Sequence, residues 1–284
     1  FKMIVLDNEF LTVQLSEDGA ELRSVYDKNR QKEKMWDGDP QYWSRISPVL
    51  FPIVGQLKDN RYLYGGKEYQ LSRHGFLRDQ TFSIVSQDEE HVCFGFDSNE
   101  QTYQVYPFNF RVEILYELNM RSVRVTWKVI NLDEEMMYYS IGGHPAFRLD
   151  KDFPYRFTFP INRRAKQVFL KDGLVHRSED VELSSIDIEP EMFKGDALIF
   201  EHVDAIVLEK KNSNESVRLN FKDFPYVGLW SPYEDGEMAP FVCIEPWHGI
   251  ADTYHHNNKL EDKKGICSLA GKEEKSYTYT MVFQ

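Results

Sequence analysis

Val123, Val125, Trp127 and Val129 alternate with Arg124, Thr126 and Lys128. A period of two is what a β-strand with one buried face requires, because successive side chains point to opposite sides of the sheet. The same alternation recurs over Leu11–Ser16, His91–Asp97, residues 110–118, Ala205–Lys210, residues 216–221 and residues 276–283. Many strands at short spacing predict an all-β chain. Gly65 and Gly66, between RYLY and KEYQL, supply the positive φ angles of a two-residue turn, so residues 61–71 should form a hairpin. Residues 119–122 should turn another. Helical signal is confined to one or two turns at residues 99–106 and 190–194, neither with a sustained 3.6 period. The acidic window 171–185 reads as an excursion between strands. No linker composition and no long repeat divides the chain. One large antiparallel β domain over residues 1–284 is therefore expected, a sandwich or a barrel, and periodicity does not choose between them.

Composition narrows the partners. Lys and Arg total 34 against 46 Asp and Glu, a net charge of −12, which repels polyanions and excludes nucleic acid and anionic membranes as natural targets. The sequence has no apolar run of about 18 residues, and FKMIVLDNEF lacks the regions of a signal peptide, so a cytoplasmic protein is expected. Cys93, Cys243 and Cys267 are odd in number and widely spaced, with no CxxC pair. They read as reduced and structural.

Three histidines stand beside Gly or Pro, where side chains leave a strand and face a cleft. They are His74 in RHGF, His144 in GGHPAF and His248 in EPWHG. Glu245 ends the apolar stretch Phe241, Val242, Cys243, Ile244 and precedes Pro246, which holds it extended. A carboxylate at the end of a buried strand is costly without partners. A zinc site from His74, His144 and Glu245 or His248 is conceivable by ligand type, but no HExxH or similar spacing supports it, so a metal is not expected. GxSxG, GxGxxG and GxxxxGK[ST] are all missing, which removes the usual sequence case for nucleophilic hydrolysis and nucleotide binding. Trp43, Phe51, Phe76, Phe147, Trp230, Tyr233 and Trp247 surround these motifs in sequence. Sugar C–H faces stack on such rings, yet most should be core, with Trp247 set apart by its closeness to Glu245.

HGF, GGHPAF and EPWHG, in this order and spacing, together with SPVLFPIVG and the 61–71 hairpin, resemble the aldose 1-epimerases, or galactose mutarotases, and most closely their LacX-type branch. The resemblance runs from about Val5 to the C-terminus. It implies a single β-supersandwich with an open cleft, no cofactor, and interconversion of the α and β anomers of a free aldose. By motif, it implies Glu245 as the base at the C1 hydroxyl, His144 as the acid at the ring oxygen, and His74 as a sugar-binding histidine. Asp196, Arg61, Arg78 and Trp247 would bind substrate. Gln56 stands where the family commonly has arginine, five residues before Arg61, and brings hydrogen bonds without charge.

Ring opening of a hemiacetal needs one proton removed and another delivered about two bonds away, so an acid and a base must flank the sugar. A carboxylate near His144 would raise its proton affinity and keep it a donor near neutral pH. The partner is thus a small aldose, handled by a monomer or homodimer. A mutarotase for phosphorylated hexoses, with Arg45, Arg73 or Arg78 at the phosphate, is one alternative; there Arg78 could instead pair with Asp79. A non-catalytic sugar-binding protein on the same fold and a glycoside hydrolase using Glu245 and Asp196 are the others.

Overall fold

The alternating segment around Trp127 forms the long strand Ser122–Asn131 near the middle of a nine-stranded antiparallel sheet. Its neighbours are Phe110–Asn119 and Glu274–Phe283. Val123, Val125, Trp127 and Val129 are all buried. The structure, a computed structural model, describes residues 3–284. Leu11–Ser16, His91–Asp97 and Ala205–Lys210 are strands with the boundaries that their alternation predicts. Arg61–Tyr64 pairs with Lys67–Gln70 through a Gly65-Gly66 turn with φ of 56° and 75°. Asn119 pairs with Ser122, closing the second expected turn. Among the described residues, helix is limited to Glu100–Val105, capped reciprocally by Asn99 and Thr102, and to short 3₁₀ turns such as Pro190–Phe193.

One segment differs from its sequence reading. Within the acidic window 171–185, Leu174–Glu182 is a strand paired with Arg164–Lys171. Its polarity follows from its place at the edge of the sheet, where its acids meet cations across the ladder: Asp180 lies 3.0 Å from Lys166 and Glu182 3.7 Å from Arg164. Pairing and an exposed edge override weak strand propensity here.

That hairpin begins a second, eight-stranded sheet, which continues through Leu198–Glu201, Tyr226–Trp230, Phe241–His248, Ile141–Gly143 and Val49–Leu50. Ala146–Arg148 also pairs with Phe241–His248. One face packs on the nine-stranded sheet: Phe147 meets Phe283, with ring centroids 6.3 Å apart, and His248 meets Tyr277 at 4.2 Å. Two large sheets packed face to face make a sandwich rather than a barrel. The opposite face carries a smaller apolar cluster that includes Val54, Ile199, Trp247 and Ala251. A four-stranded N-terminal sheet, Met3–Asp7 through Lys32–Glu33, is tied to the sandwich where the Tyr116 hydroxyl donates to the Ala20 carbonyl at 2.6 Å. Among the described residues, no helix is long and apolar enough to cross a membrane.

Candidate active site

The outer face of the eight-stranded sheet floors a cavity of about 350 Å³, within the range of small-molecule sites, roughly 300–1,000 Å³. Glu245 reaches it from Phe241–His248, a strand flanked by Tyr226–Trp230 and Ile141–Gly143. Alternation along this strand sends Glu245 and Trp247 to the cavity and His248 to the other sheet. The neighbouring glycines are explained by Trp247. A Cβ on Gly142 would lie 2.6 Å from the indole Cδ1, and one on Gly228 would lie 2.7 Å from its six-membered ring. The indole thus lies flat across both adjacent strands, over positions that only glycine can occupy.

His144 leaves the sheet just after Ile141–Gly143 and is sealed between Trp43 and Trp230, with ring centroids 4.8 and 5.5 Å away. Its Nε2 lies 3.1 Å from Glu245 Oε1, with side-chain exposures of 7% and 2%. His74 stands edge-on to His144 at 5.6 Å, in a left-handed backbone conformation with φ of 68°. Two backbone contacts hold it there: its N–H donates to the Gly55 carbonyl at 3.1 Å, and its Nδ1 accepts from the Gly55 N–H at 2.9 Å. An imidazole accepting at Nδ1 carries its hydrogen at Nε2 when neutral, so His74 is a fixed donor at that nitrogen.

Electrostatics differ from the sequence expectation for His144. Burial, joined by the guanidinium groups of Arg78, Arg45 and Arg73, pulls its pKa down to about 3 rather than up. Burial also drives Glu245 well above the ordinary carboxylate range, helped by the negative charge of Asp196. His74 is held neutral by burial and by His144. Burial therefore disfavours the charged form of both members of the Glu245–His144 pair.

Of the residues singled out from sequence, Glu245, His144, His74, Gln56, Asp196, Arg78 and Trp247 all line this one cavity. Arg61 does not: it faces away and pairs with Glu68 at 3.0 Å, because strand alternation places it on the outer face of its hairpin. His248 is also elsewhere, packed on Phe224 and Tyr277, where burial lowers its pKa to about 4. With His248 distant and the hydrogen of His74 at Nε2, the zinc set drawn from sequence does not assemble. Arg78 does not pair with Asp79, which instead takes Arg45 at 2.9 Å. Arg78 donates to the Arg73 carbonyl at 3.0 Å and keeps a buried, unpartnered Nε. Phe51 and Phe147 are core, whereas Trp43 and Trp230 join Trp247 on the wall.

Gln56 has a specific task. Its Oε1 accepts from Arg73 Nη2 at 3.0 Å, and the same guanidinium lies 3.5 Å from Asp196. The charge missing at position 56 is thus brought to the same wall by Arg73. Leu170 and Gly173 complete that wall from the hairpin read as an excursion; the turn dipeptide Asp172-Gly173 was the available signal.

The arrangement can take a proton from one ligand atom and give one to another at a floor flanked by Trp43, Trp230 and Trp247. The family profile of the aldose 1-epimerases matches residues 2–261. Protein LacX of Lactococcus lactis subsp. lactis is 31% identical in its plasmid form, over 98% of this chain and 99% of that protein. The structure of a galactose mutarotase related enzyme from Lactobacillus acidophilus superposes with a TM-score of 0.96 at 33% identity, covering 100% of this chain and 97% of that one. A galactose mutarotase-like protein from Lactobacillus casei ATCC 334 gives 0.93 at 28% identity, with both chains covered in full. The chain belongs to the aldose 1-epimerase family.

Proposed function

We propose that this protein interconverts the α and β anomers of an aldose by acid–base ring opening and reclosure. The observation that carries the reading is the buried Glu245–His144 pair, 3.1 Å apart on the cavity floor. Mutarotation needs one acceptor at the C1 hydroxyl and one donor at the ring oxygen, and a one-proton pair supplies both. Sugar hydroxyls that donate to Glu245 favour its charged form. The proton then passes to His144, which leaves Glu245 as base and His144 as acid. The Nε2–H of His74 donates to the ring oxygen as negative charge develops there. After rotation about C1–C2 the same groups work in reverse. Trp43, Trp230 and Trp247 offer faces for the sugar ring, and Asp196, Gln56 and Arg73 offer partners for its hydroxyls.

The test is the rate of α-to-β exchange of freshly dissolved glucose and galactose, followed by polarimetry or NMR, with wild type beside Glu245→Gln. Acceleration that disappears in the variant supports the reading. Sugar binding by calorimetry without acceleration would replace it with a non-catalytic sugar-binding function.

A second reading, a phosphorylated hexose as substrate, is favoured by one specific feature. Arg45, Arg73 and Arg78 all line the cavity, and the like charges of Arg45 and Arg73 join burial in lowering the Arg78 pKa to about 10. Three clustered guanidinium groups with a spare buried donor suit a dianionic phosphate. A kcat/KM for galactose 6-phosphate or glucose 6-phosphate well above that for the free sugars, and reduced selectively by Arg78→Met, would establish it. Equal values for charged and free sugars would remove it.

A further inference from the structure

Cys243 is the one cysteine placed beside the candidate acid–base pair, and the chemistry above gives it no task. It lies on the strand of Glu245, two residues earlier and on the same face, with no exposed surface. Its thiol sulfur, a ring nitrogen of His144 and a carboxylate oxygen of Glu245 all lie within 4.8 Å of one another.

We propose that His144, Cys243 and Glu245 form a binding site for a borderline-soft divalent cation of the zinc class, which inhibits the protein by occupying its acid–base pair. The ligand types, N, S and O, are those that zinc accepts. Metal–ligand bonds of about 2.0–2.3 Å put tetrahedral ligands roughly 3.3–3.8 Å apart, so small side-chain rotations close the set. The backbone under it is rigid: Ala146 pairs with Cys243, and Gly142, two residues before His144, pairs with Trp247. Three protein ligands leave a fourth position for water, and two of the three, His144 and Glu245, line the cavity. Charge also closes. One thiolate and one carboxylate neutralise a dication, so the complex adds no net charge to a site walled by Trp43, Trp230 and Phe241. Binding releases the proton shared by Glu245 and His144 and the thiol proton to solvent. Mg²⁺ and Ca²⁺ do not suit a site with one oxygen ligand and a thiol, since both require about six oxygens.

The inhibitory consequence rests on the proposed mutarotase reading; the site itself does not. The first readout is therefore Co²⁺ added to the intact protein, with no sugar present. One Co²⁺ per chain with a near-ultraviolet thiolate-to-cobalt band is expected. That band should be lost in Cys243→Ala and retained in Cys93→Ala and Cys267→Ala. Zn²⁺ titrated by calorimetry should bind Cys243→Ala at least tenfold more weakly than wild type. Absence of the thiolate band, its loss in Cys93→Ala or Cys267→Ala instead, or equal Zn²⁺ affinity in Cys243→Ala overturns the site. In anomer exchange, Zn²⁺ should slow wild type, EDTA should restore the rate, and Cys243→Ala should resist the metal. Sensitivity equal in both proteins overturns the inhibitory role. Should wild type show no exchange even without metal, it is the mutarotase reading that fails, and the cobalt spectrum still decides the site.

Discussion

His144 Nε2 and Glu245 Oε1 lie 3.1 Å apart on the cavity floor, with side-chain exposures of only 7% and 2%. Burial disfavours charge on both, and a pair that shares one proton remains neutral overall. Glu245→Gln keeps the shape and a hydrogen bond to His144 but cannot accept a proton. The expected result is a loss of about a hundredfold or more in kcat, the scale of one positioned proton transfer, with an unchanged circular dichroism spectrum. A variant at full rate would end the assignment of Glu245 as base.

Trp247 occupies space that Gly142 and Gly228 leave open. Gly142→Ala would drive a methyl group to 2.6 Å from the indole, next to Val54 at 3.2 Å. Overpacking of this kind costs about 1–3 kcal/mol, measured by urea denaturation. Combining Gly142→Ala with Trp247→Leu should recover part of that cost, because contacting residues couple. Strictly additive losses would show that the clash is not with Trp247.

Asp252 and Lys263 are both 1% exposed in their side chains and 2.8 Å apart. Asp252 also accepts from the Lys58 N–H at 2.8 Å, while its own N–H donates to the Gln56 carbonyl at 3.0 Å. The pair thereby fastens the segment carrying Gln56 to the loop after the Glu245 strand. Asp252→Asn leaves a buried cation uncompensated, and a loss of about 3–5 kcal/mol in unfolding free energy is expected. A change below 1 kcal/mol would mean that Lys263 finds water instead.

Folding stability should fall on acidification from pH 6.5 to 4. The His248 pKa is near 4 in the folded protein, through burial between Phe224 and Tyr277, against about 6.5 unfolded. Between those values the unfolded chain binds the extra proton, so stability rises with pH across that window and levels off above it. His248→Phe should flatten the slope in melting temperature measured across this range. An identical slope in the variant would place the acid sensitivity at other groups, with His144 and His74 shifted in the same direction.

Arg73 is gripped by Gln56 and Asp196 at the cavity wall. Arg73→Met should raise KM by about tenfold, the loss of one charge-assisted hydrogen bond of roughly 1.5 kcal/mol, with a smaller effect on kcat. Gln56→Ala should act more weakly in the same direction, because it only steadies the guanidinium. Steady-state kinetics of the two variants and of the double variant check this; independent, additive effects would separate Gln56 from Arg73.

Local pattern made the all-β class and many strand positions legible. Strict alternation in Ser122–Asn131 and the Gly65-Gly66 turn are local consequences of pleat and φ, so they can be read without knowing the partner strands. The acidic strand Leu174–Glu182 escaped because its support is a neighbouring strand and cross-strand cations, which no local pattern records. Glu245, His144 and His74 were recognisable as motif residues, although the strand of Glu245 continues through Pro246 to His248 rather than ending at the carboxylate. Their meeting was not: three segments of the chain converge only because strand pairing sets Ile141–Gly143 beside Phe241–His248 and backbone hydrogen bonds hold His74 against Gly55. Tertiary structure also sent Arg61 outward, placed Arg73 with Gln56, and set Cys243 beside the candidate acid–base pair. It reversed the expected shift of His144, since a neighbouring carboxylate is visible in sequence only as a residue type. Whether that carboxylate raises the histidine or shares its proton depends on how far burial has removed both from water.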